Sequence, residues 1–244
     1  MESHLYTEMA QVERTHWWFR GRRSIVLSLL RRYAKGGGAL LDVGMGTGFN
    51  ARLFTEQGFT VEGLESAPEA IAIARKHAAG TPIIASTFPS ALVPEGKYQV
   101  VTMLDVLEHI DDDRGALAAA ARSLAPGGIL LLTVPAFPFL WTRHDELAHH
   151  VRRYRKAELL EKVRDAGLIP VQVSYYNFFL FPLIACVRLA QKALRIRKET
   201  SDFDATPGFL NAPLTFIFGL ERYLLAYTSL PFGVSLIAVV RKAP

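Results

Sequence analysis

The 244-residue sequence predicts a doubly wound α/β fold, a mostly parallel seven-stranded sheet with helices on both faces. Three observations carry this. Short apolar runs alternate with helical patterns between residues 39 and 135. The runs are apolar throughout, as strands buried on both faces must be. Glycine or proline closes several of the segments. Alternation of this kind builds a parallel sheet through crossover helices.

The elements follow in order. Residues 1–35 form an N-terminal helical segment, read as a lid or cap. "ALLDVG" (39–44) is a buried strand, and "FNARLFTEQG" (49–58) a helix with a glycine stop. "TVEGLE" (60–65) is the second strand and "APEAIAIARKHA" (67–78) the helix after it. "PIIAS" (82–86) and "YQVVTMLDVL" (98–107) are the third and fourth strands. "DRGALAAAARSLAPGG" (113–128) reads as a helix stopped by Pro-Gly-Gly, and "ILLLTVP" (129–135) as the fifth strand. A helix at about 155–166 precedes "LIPVQVSYY" (168–176), and "GVSLIAVVRK" (233–242) supplies the last strand. Such folds join their last two strands by a short loop, so residues 177–232 are an insertion, helical and hydrophobic. The core is therefore 36–176 plus 233–244.

Half of the residues are hydrophobic, enough for a sizeable core. The single cysteine, Cys186, excludes an internal disulfide and suits a reducing cytoplasm. The first 30 residues begin polar and are interrupted by charges, unlike a secretory signal. The net charge of +5 fits an ordinary basic enzyme or attraction to an anionic partner. Basic residues concentrate at 14–32, 143–164 and 188–198.

"LLDVGMGTGFN" (40–50) sets glycines 44, 46 and 48 after a strand, where backbone N–H groups and a helix N-terminus approach a ligand. Gly46-x-Gly48-x-x-Ala51 also fits a dinucleotide fingerprint, with Glu65 placed for a ribose. Asp42, just before the first glycine, argues otherwise. It would repel a pyrophosphate and attract an ammonium.

Taken with "LDVLEHI" (104–110) and "LAPGGILLLTVP" (124–135), this set resembles the class I S-adenosylmethionine-dependent methyltransferases. The resemblance implies a Rossmann-like methyltransferase core with S-adenosyl-L-methionine as cofactor. It assigns the methionine part to Asp42, Gly44, Gly46 and Gly48, and the ribose to Glu65. Ser86, Thr87 and Leu104 would flank adenine. The segment "ASTFP" (85–89) lacks the acid often found there in that family. "HWWFRGRR" (16–23), "HDE…RRY" and the final "LPFG.SLIAV.RK" further resemble one bacterial subgroup.

Methyl transfer to a hydroxyl or amine needs a proton acceptor beside the sheet's C-terminal edge. "WTRHDELAHHVRRY" (141–154) offers His144 or His150, with Asp145 adjacent. Trp17, Trp18, Arg20, His109, Arg153 and Tyr154 are the candidate substrate-binding residues. The histidines and acids of 141–154 have no second cluster to complete a metal set, so no metal is expected.

No charge falls between Ala166 and Val187 or between Tyr223 and Val240, but prolines and polar residues break both runs. A membrane span is therefore not expected. The apolar, aromatic insertion with its basic end, "RLAQKALRIRK" (188–198), reads as a cap admitting an apolar or lipid-linked substrate. It would sit at the inner membrane face in an otherwise cytoplasmic protein. The expected activity is methyl transfer, most readily to oxygen. The alternatives are a nucleic-acid methyltransferase and a non-catalytic cofactor-binding partner protein. No Asn/Asp-Pro-Pro-Tyr motif is present, so nucleic acid is not favoured. The pattern does not fix the oligomeric state.

Overall fold

The computed structural model describes residues 3–194 and 206–244. The end of the basic run 188–198 and most of the polar stretch 199–208 lie outside the described residues. The seven strands are β1 (Gly38–Val43), β2 (Phe59–Glu65), β3 (Ile83–Ala85), β4 (Tyr98–Leu104), β5 (Leu124–Pro135), β6 (Leu168–Tyr176) and β7 (Ser235–Lys242). They form one sheet in the order β3-β2-β1-β4-β5-β7-β6, in which only β7 runs antiparallel to its neighbours. The mostly parallel sheet is the one the sequence predicts. Chain direction reverses its progress between β1 and β4, and in such sheets the ligand crevice opens there.

Helices α1 (Ser3–Val12) and α2 (Trp17–Tyr33) precede the sheet. Then come α3 (Phe49–Glu56), α4 (Pro68–His77), α5 (Asp113–Ser123), the short α6 (Arg143–Leu147) and α7 (Lys156–Asp165). The insertion supplies α8 (Phe181–Ala193) and α9 (Asn211–Leu225).

Alternate residues of each central strand face opposite layers. Leu41, Val43, Val101, Met103, Leu130 and Leu132 pack with Leu117 and Ala120 of α5 and Leu159 and Val163 of α7. Leu40, Val100, Ile129 and Leu131 pack with Ile25, Leu29 and Leu30 of α2, Phe54 of α3 and Phe218 of α9. Both faces are thus dry, which is why the strands read as continuous apolar runs.

Helix α9 lies in this second layer against α2. A side chain on Gly21 would meet the Phe218 ring at 2.1 Å, so only glycine lets the helices approach. The insertion therefore completes a sheet face as well as reaching the ligand crevice.

Two boundaries differ from expectation. The helix expected over 113–128 ends at Ser123, and Leu124 is already extended and paired with Tyr98. Pro126 within a helix would remove a hydrogen bond and clash with the preceding turn. Residues 125–128 instead form a bulge before Ile129 pairs with Val100. The strand expected over 98–107 stops at Leu104, because Asp105 takes a φ of +59° and Leu107–His109 turn into a short 3-10 helix.

Candidate functional site

A cavity of about 810 Å³ opens at the C-terminal edge of the sheet. Its floor is the turn after β1. Asp42 is buried, and its Oδ1 accepts from Thr102 Oγ1 at 2.6 Å. Its Oδ2 is buried with no hydrogen-bond partner among the described residues. Burial raises its pKa to about 7, against the Thr102 hydrogen bond and the charge of Arg22. Gly44 has a φ of +65°, and a side chain there would strike Val106 at 2.6 Å. The turn is therefore both left-handed and closely packed.

Glu65 ends β2 beside this turn. Its Oε2 accepts the Gly46 N–H at 2.9 Å, and its Oε1 accepts those of Ser66 and Ala67 at 2.8 and 3.0 Å. Ser86, Thr87 and Leu104 line the cavity as well. Gly48 does not line it. It caps α3 with a φ of +78°, and a side chain would press on Ala74 of α4.

Over the floor lie α1 and the start of α2. Tyr6, Met9 and Glu13 line the cavity, and Thr47 Oγ1 donates to Glu13 at 2.7 Å, tying the segment after α1 to the glycine turn. Trp17 and Trp18 line it too. Trp17 Nε1 donates to Thr206 at 3.1 Å, and its backbone N–H to Asn211 Oδ1 at 3.0 Å, joining the helix start to the insertion. The Arg22 guanidinium stacks on Trp18 at 4.5 Å and pairs with Asp105. Arg20 was expected here but lies exposed, outside the cavity. Helical phase turns Arg22 and Arg23 inward instead.

The far wall joins the loop after β4 to the loop around α6. Val151 N–H donates to the Glu108 carbonyl at 2.9 Å, holding the two together. His109, His144 and His150 all line the cavity, with the His109 and His150 rings 4.7 Å apart. His150 Nδ1 is 2.8 Å from Asp145 Oδ1. Asp145 is fully buried, receives two hydrogen bonds from Arg153 at 2.8 and 2.9 Å, and caps α6 through the Thr142 N–H. Burial alone would raise its pKa, but His150, Arg153 and Thr142 hold it well below the usual carboxylate range. Burial, with His150 nearby, lowers the His109 pKa to about 4.

Two expected substrate contacts are engaged by other side chains. The Arg153 guanidinium is buried and held by Asp145 and the Ala136 carbonyl. Tyr154 is fully buried outside the cavity, its hydroxyl donating to Asp113 at 2.8 Å. Both brace the wall, Arg153 while also lining the cavity and Tyr154 from behind it. The sequence reading passed over Asp105, Glu13 and Asn177. The cue for Asn177 was its break in an apolar run, and it lines the cavity with its buried amide unpartnered among the described residues.

The insertion closes the mouth. Leu183, Ile184 and Val187 of α8 and Leu214 of α9 line it, and Leu183 and Val187 are also exposed outside. Among the described residues no helix is long and apolar enough to cross a membrane.

The model of a methyltransferase domain matches residues 16–173. The ubiquinone biosynthesis O-methyltransferase of Thiobacillus denitrificans is 31% identical over 200 residues, covering 78% of this chain and 78% of that protein. The Shewanella halifaxensis protein of the same name is 29% identical, covering 77% and 73%. Among solved structures, a Thermotoga maritima protein described as a possible histamine N-methyltransferase covers 98% of this chain and 95% of its own, with a TM-score of 0.61 and 18% identity. Haemonchus contortus phosphoethanolamine N-methyltransferase 2, in complex with S-adenosyl-L-methionine, aligns with a TM-score of 0.59 and 20% identity. That match covers 89% of this chain but about half, 52%, of the longer protein. At these identities the structural likenesses speak for the fold.

Proposed function

The chain belongs to the methyltransferase-domain family, and from that premise we propose that it methylates an oxygen of an apolar or lipid-linked small molecule. S-adenosylmethionine is its methyl donor. When bound, it supplies a methyl group on a sulfonium, and the sulfur keeps the bonding pair as the methyl passes to the acceptor.

The residues present fit this cofactor. The buried Oδ2 of Asp42, unpartnered among the described residues, suits an ammonium. The backbone of Gly44 and Gly46 leaves room beside it. Glu65 uses about three of a carboxylate's roughly four acceptor positions on its own backbone. Releasing the Gly46 N–H frees it for ribose hydroxyls. Ser86, Thr87 and Leu104 would border adenine.

The observation that carries the acceptor assignment is the His150–Asp145 pair, on the same cavity as the glycine turn. Asp145 holds the proton on Nδ1, so Nε2 faces the cavity as the proton acceptor for the substrate hydroxyl. His144 stands beside it, its ring 6.2 Å away. Trp17, Trp18 and His109 border the acceptor, and α1 and the start of α2 shield the reaction from water.

The apolar mouth supports a lipid-like acceptor. Phe209, Phe216, Tyr223 and Tyr227 of the same 177–232 segment are exposed as well. The distant relatives act, by their names, in ubiquinone biosynthesis. We place the protein in the cytoplasm, peripheral at the inner membrane face.

Two measurements test this. Labelled S-adenosylmethionine is incubated with lipid and with soluble extracts, and label confined to the soluble fraction would sink the lipid assignment. His150→Gln is expected to slow methyl transfer about 10²–10⁴-fold with cofactor affinity unchanged. An undiminished rate removes His150 from the reaction.

A further inference from the structure

The acceptor wall holds a group of side chains whose arrangement a general base alone does not explain. Glu108, His109 and His150 each bring one ligand atom into a set whose members lie within 4.8 Å of one another. Glu108 is fully buried, and neither of its oxygens has a hydrogen-bond partner among the described residues. Its nearest cationic candidate is His150 Nε2, 3.9 Å from Oε1, too far for a hydrogen bond. An orphaned buried carboxylate is costly, and such a group calls for a bound species to satisfy it.

The two imidazoles are already braced from behind. His150 Nδ1 is tied to Asp145, which leaves Nε2 directed at Glu108. The His109 ring is hydrogen-bonded to the backbone of His149, a residue whose φ of +59° turns the loop at this point. Metal-bound histidines carry this support, the second nitrogen bonded to a carboxylate or a backbone carbonyl.

We propose that Glu108, His109 and His150 form a binding site for a divalent transition-metal ion at the acceptor end of the cavity. Two imidazole nitrogens and one carboxylate suit Zn²⁺ or Co²⁺ better than Mg²⁺ or Ca²⁺, which prefer oxygen. Three protein ligands leave coordination positions open, as catalytic zinc sites do. Ligand atoms about 2.0–2.2 Å from one ion stand roughly 3–3.5 Å apart, so the set must contract by about 1 Å. Glu108 and His109 sit on a single short turn and His150 on a loop, so side-chain rotation suffices.

The proposal rests on the methyl-transfer reading and sharpens it. All three residues line the cavity, so the open positions face the acceptor. A hydroxyl bound to the ion becomes more acidic. Its O–H bond breaks, the electron pair stays on the oxygen and the proton leaves to solvent. Ion and proton compete for the same lone pair on His150. Metal loading therefore moves deprotonation of the acceptor from the imidazole to the ion.

The test uses the full chain, free of any histidine tag and stripped with chelator. It is titrated with Co²⁺ while the visible d–d absorption is followed, and Zn²⁺ is then added to displace it. One saturable equivalent is expected, weakened at least tenfold in Glu108→Gln and in His109→Ala. His77→Ala, outside the group, should keep wild-type affinity. Glu108→Gln preserves the shape of a neutral acid, so unchanged Co²⁺ affinity in that variant overturns the site. Absence of a saturable band in the wild-type chain overturns it whatever the variants do. Thermal shift with S-adenosylmethionine runs in parallel. A chain that takes the cofactor but not Co²⁺ loses only the metal site, whereas one that takes Co²⁺ but not the cofactor loses the methyl-transfer reading.

Discussion

Asp42→Asn should make the free protein more stable at pH 8 and the cofactor complex weaker, two effects of opposite sign from one atom. The carboxyl is fully buried beneath the glycine turn, with one oxygen bonded to Thr102 and the other unpartnered among the described residues. Burial lifts its pKa from 3.8 to about 7. Between those values the folded protein keeps a proton that the unfolded chain releases, so stability falls as pH rises through the window. At about 1.4 kcal/mol per pH unit, the loss from this group amounts to roughly 4 kcal/mol by pH 8. Asparagine keeps an acceptor for Thr102 and carries no charge, so the variant escapes this loss. Urea unfolding of both proteins at pH 4 and pH 8 isolates it, because every other group titrates alike in the pair. The gap in stability should widen by a few kcal/mol toward pH 8 in favour of the variant. Titration calorimetry with S-adenosylmethionine should show the reverse. A charge-assisted hydrogen bond to the ammonium contributes about 1.5–3 kcal/mol, so affinity should fall at least tenfold. Equal stabilities at pH 8, or an unchanged affinity, would refute the assignment of Asp42 as an empty cation partner.

Glu221 behaves similarly away from the cavity floor: burial raises its pKa to about 7 against hydrogen bonds from Phe179 and Phe178. Stability contributed by the protonated form is lost between pH 4.5 and 7, and Glu221→Gln should remove about 3 kcal/mol of that dependence in unfolding curves. Gly21→Ala drives a methyl into the Phe218 ring and should cost about 1–3 kcal/mol, read as a lower thermal midpoint. Asp145→Asn removes the carboxylate charge paired with the buried Arg153 and should destabilise the fold by roughly 3–5 kcal/mol, while His150→Gln leaves stability nearly intact. Equal melting temperatures for those two variants would show that Arg153 does not depend on Asp145.

Much of this molecule is legible locally. The strands announce themselves because both faces are buried, and the proposed cofactor cradle because glycines, Asp42 and Glu65 all sit at strand ends. What stays illegible depends on contacts distant in sequence. "RGRR" offers four neighbouring positions, and the Phe218 contact at Gly21, nearly 200 residues away, decides which arginines turn inward. Arg20 consequently faces solvent while Arg22 reaches Asp105. Tyr154 resembles a ligand contact until Asp113, on another element, takes its hydroxyl. The LAPGG stretch failed for a nearer reason: Pro126 punctuates a strand bulge as readily as a helix end.

The same distance effect hid the metal-type group. Within 141–154 the histidines and acids have no complete set, and Glu108 and His109 lie more than 30 residues earlier. The Val151–Glu108 backbone hydrogen bond brings the loops together, with Arg152 donating to the Asp111 carbonyl beside it. The result is a cavity with a fully buried carboxylate at each end, Asp42 on the floor with one oxygen unpartnered and Glu108 on the far wall with both unpartnered among the described residues. Arg22 bears on both but is committed to Asp105 and stacked on Trp18. A fold with net stability of about 5–15 kcal/mol carries two such groups at a serious fraction of its margin. Each end therefore stands to gain stability on binding a cation, an organic ammonium at one and a metal ion at the other. S-adenosylmethionine and Co²⁺ should consequently raise the melting temperature separately, and additively if the two ends act independently.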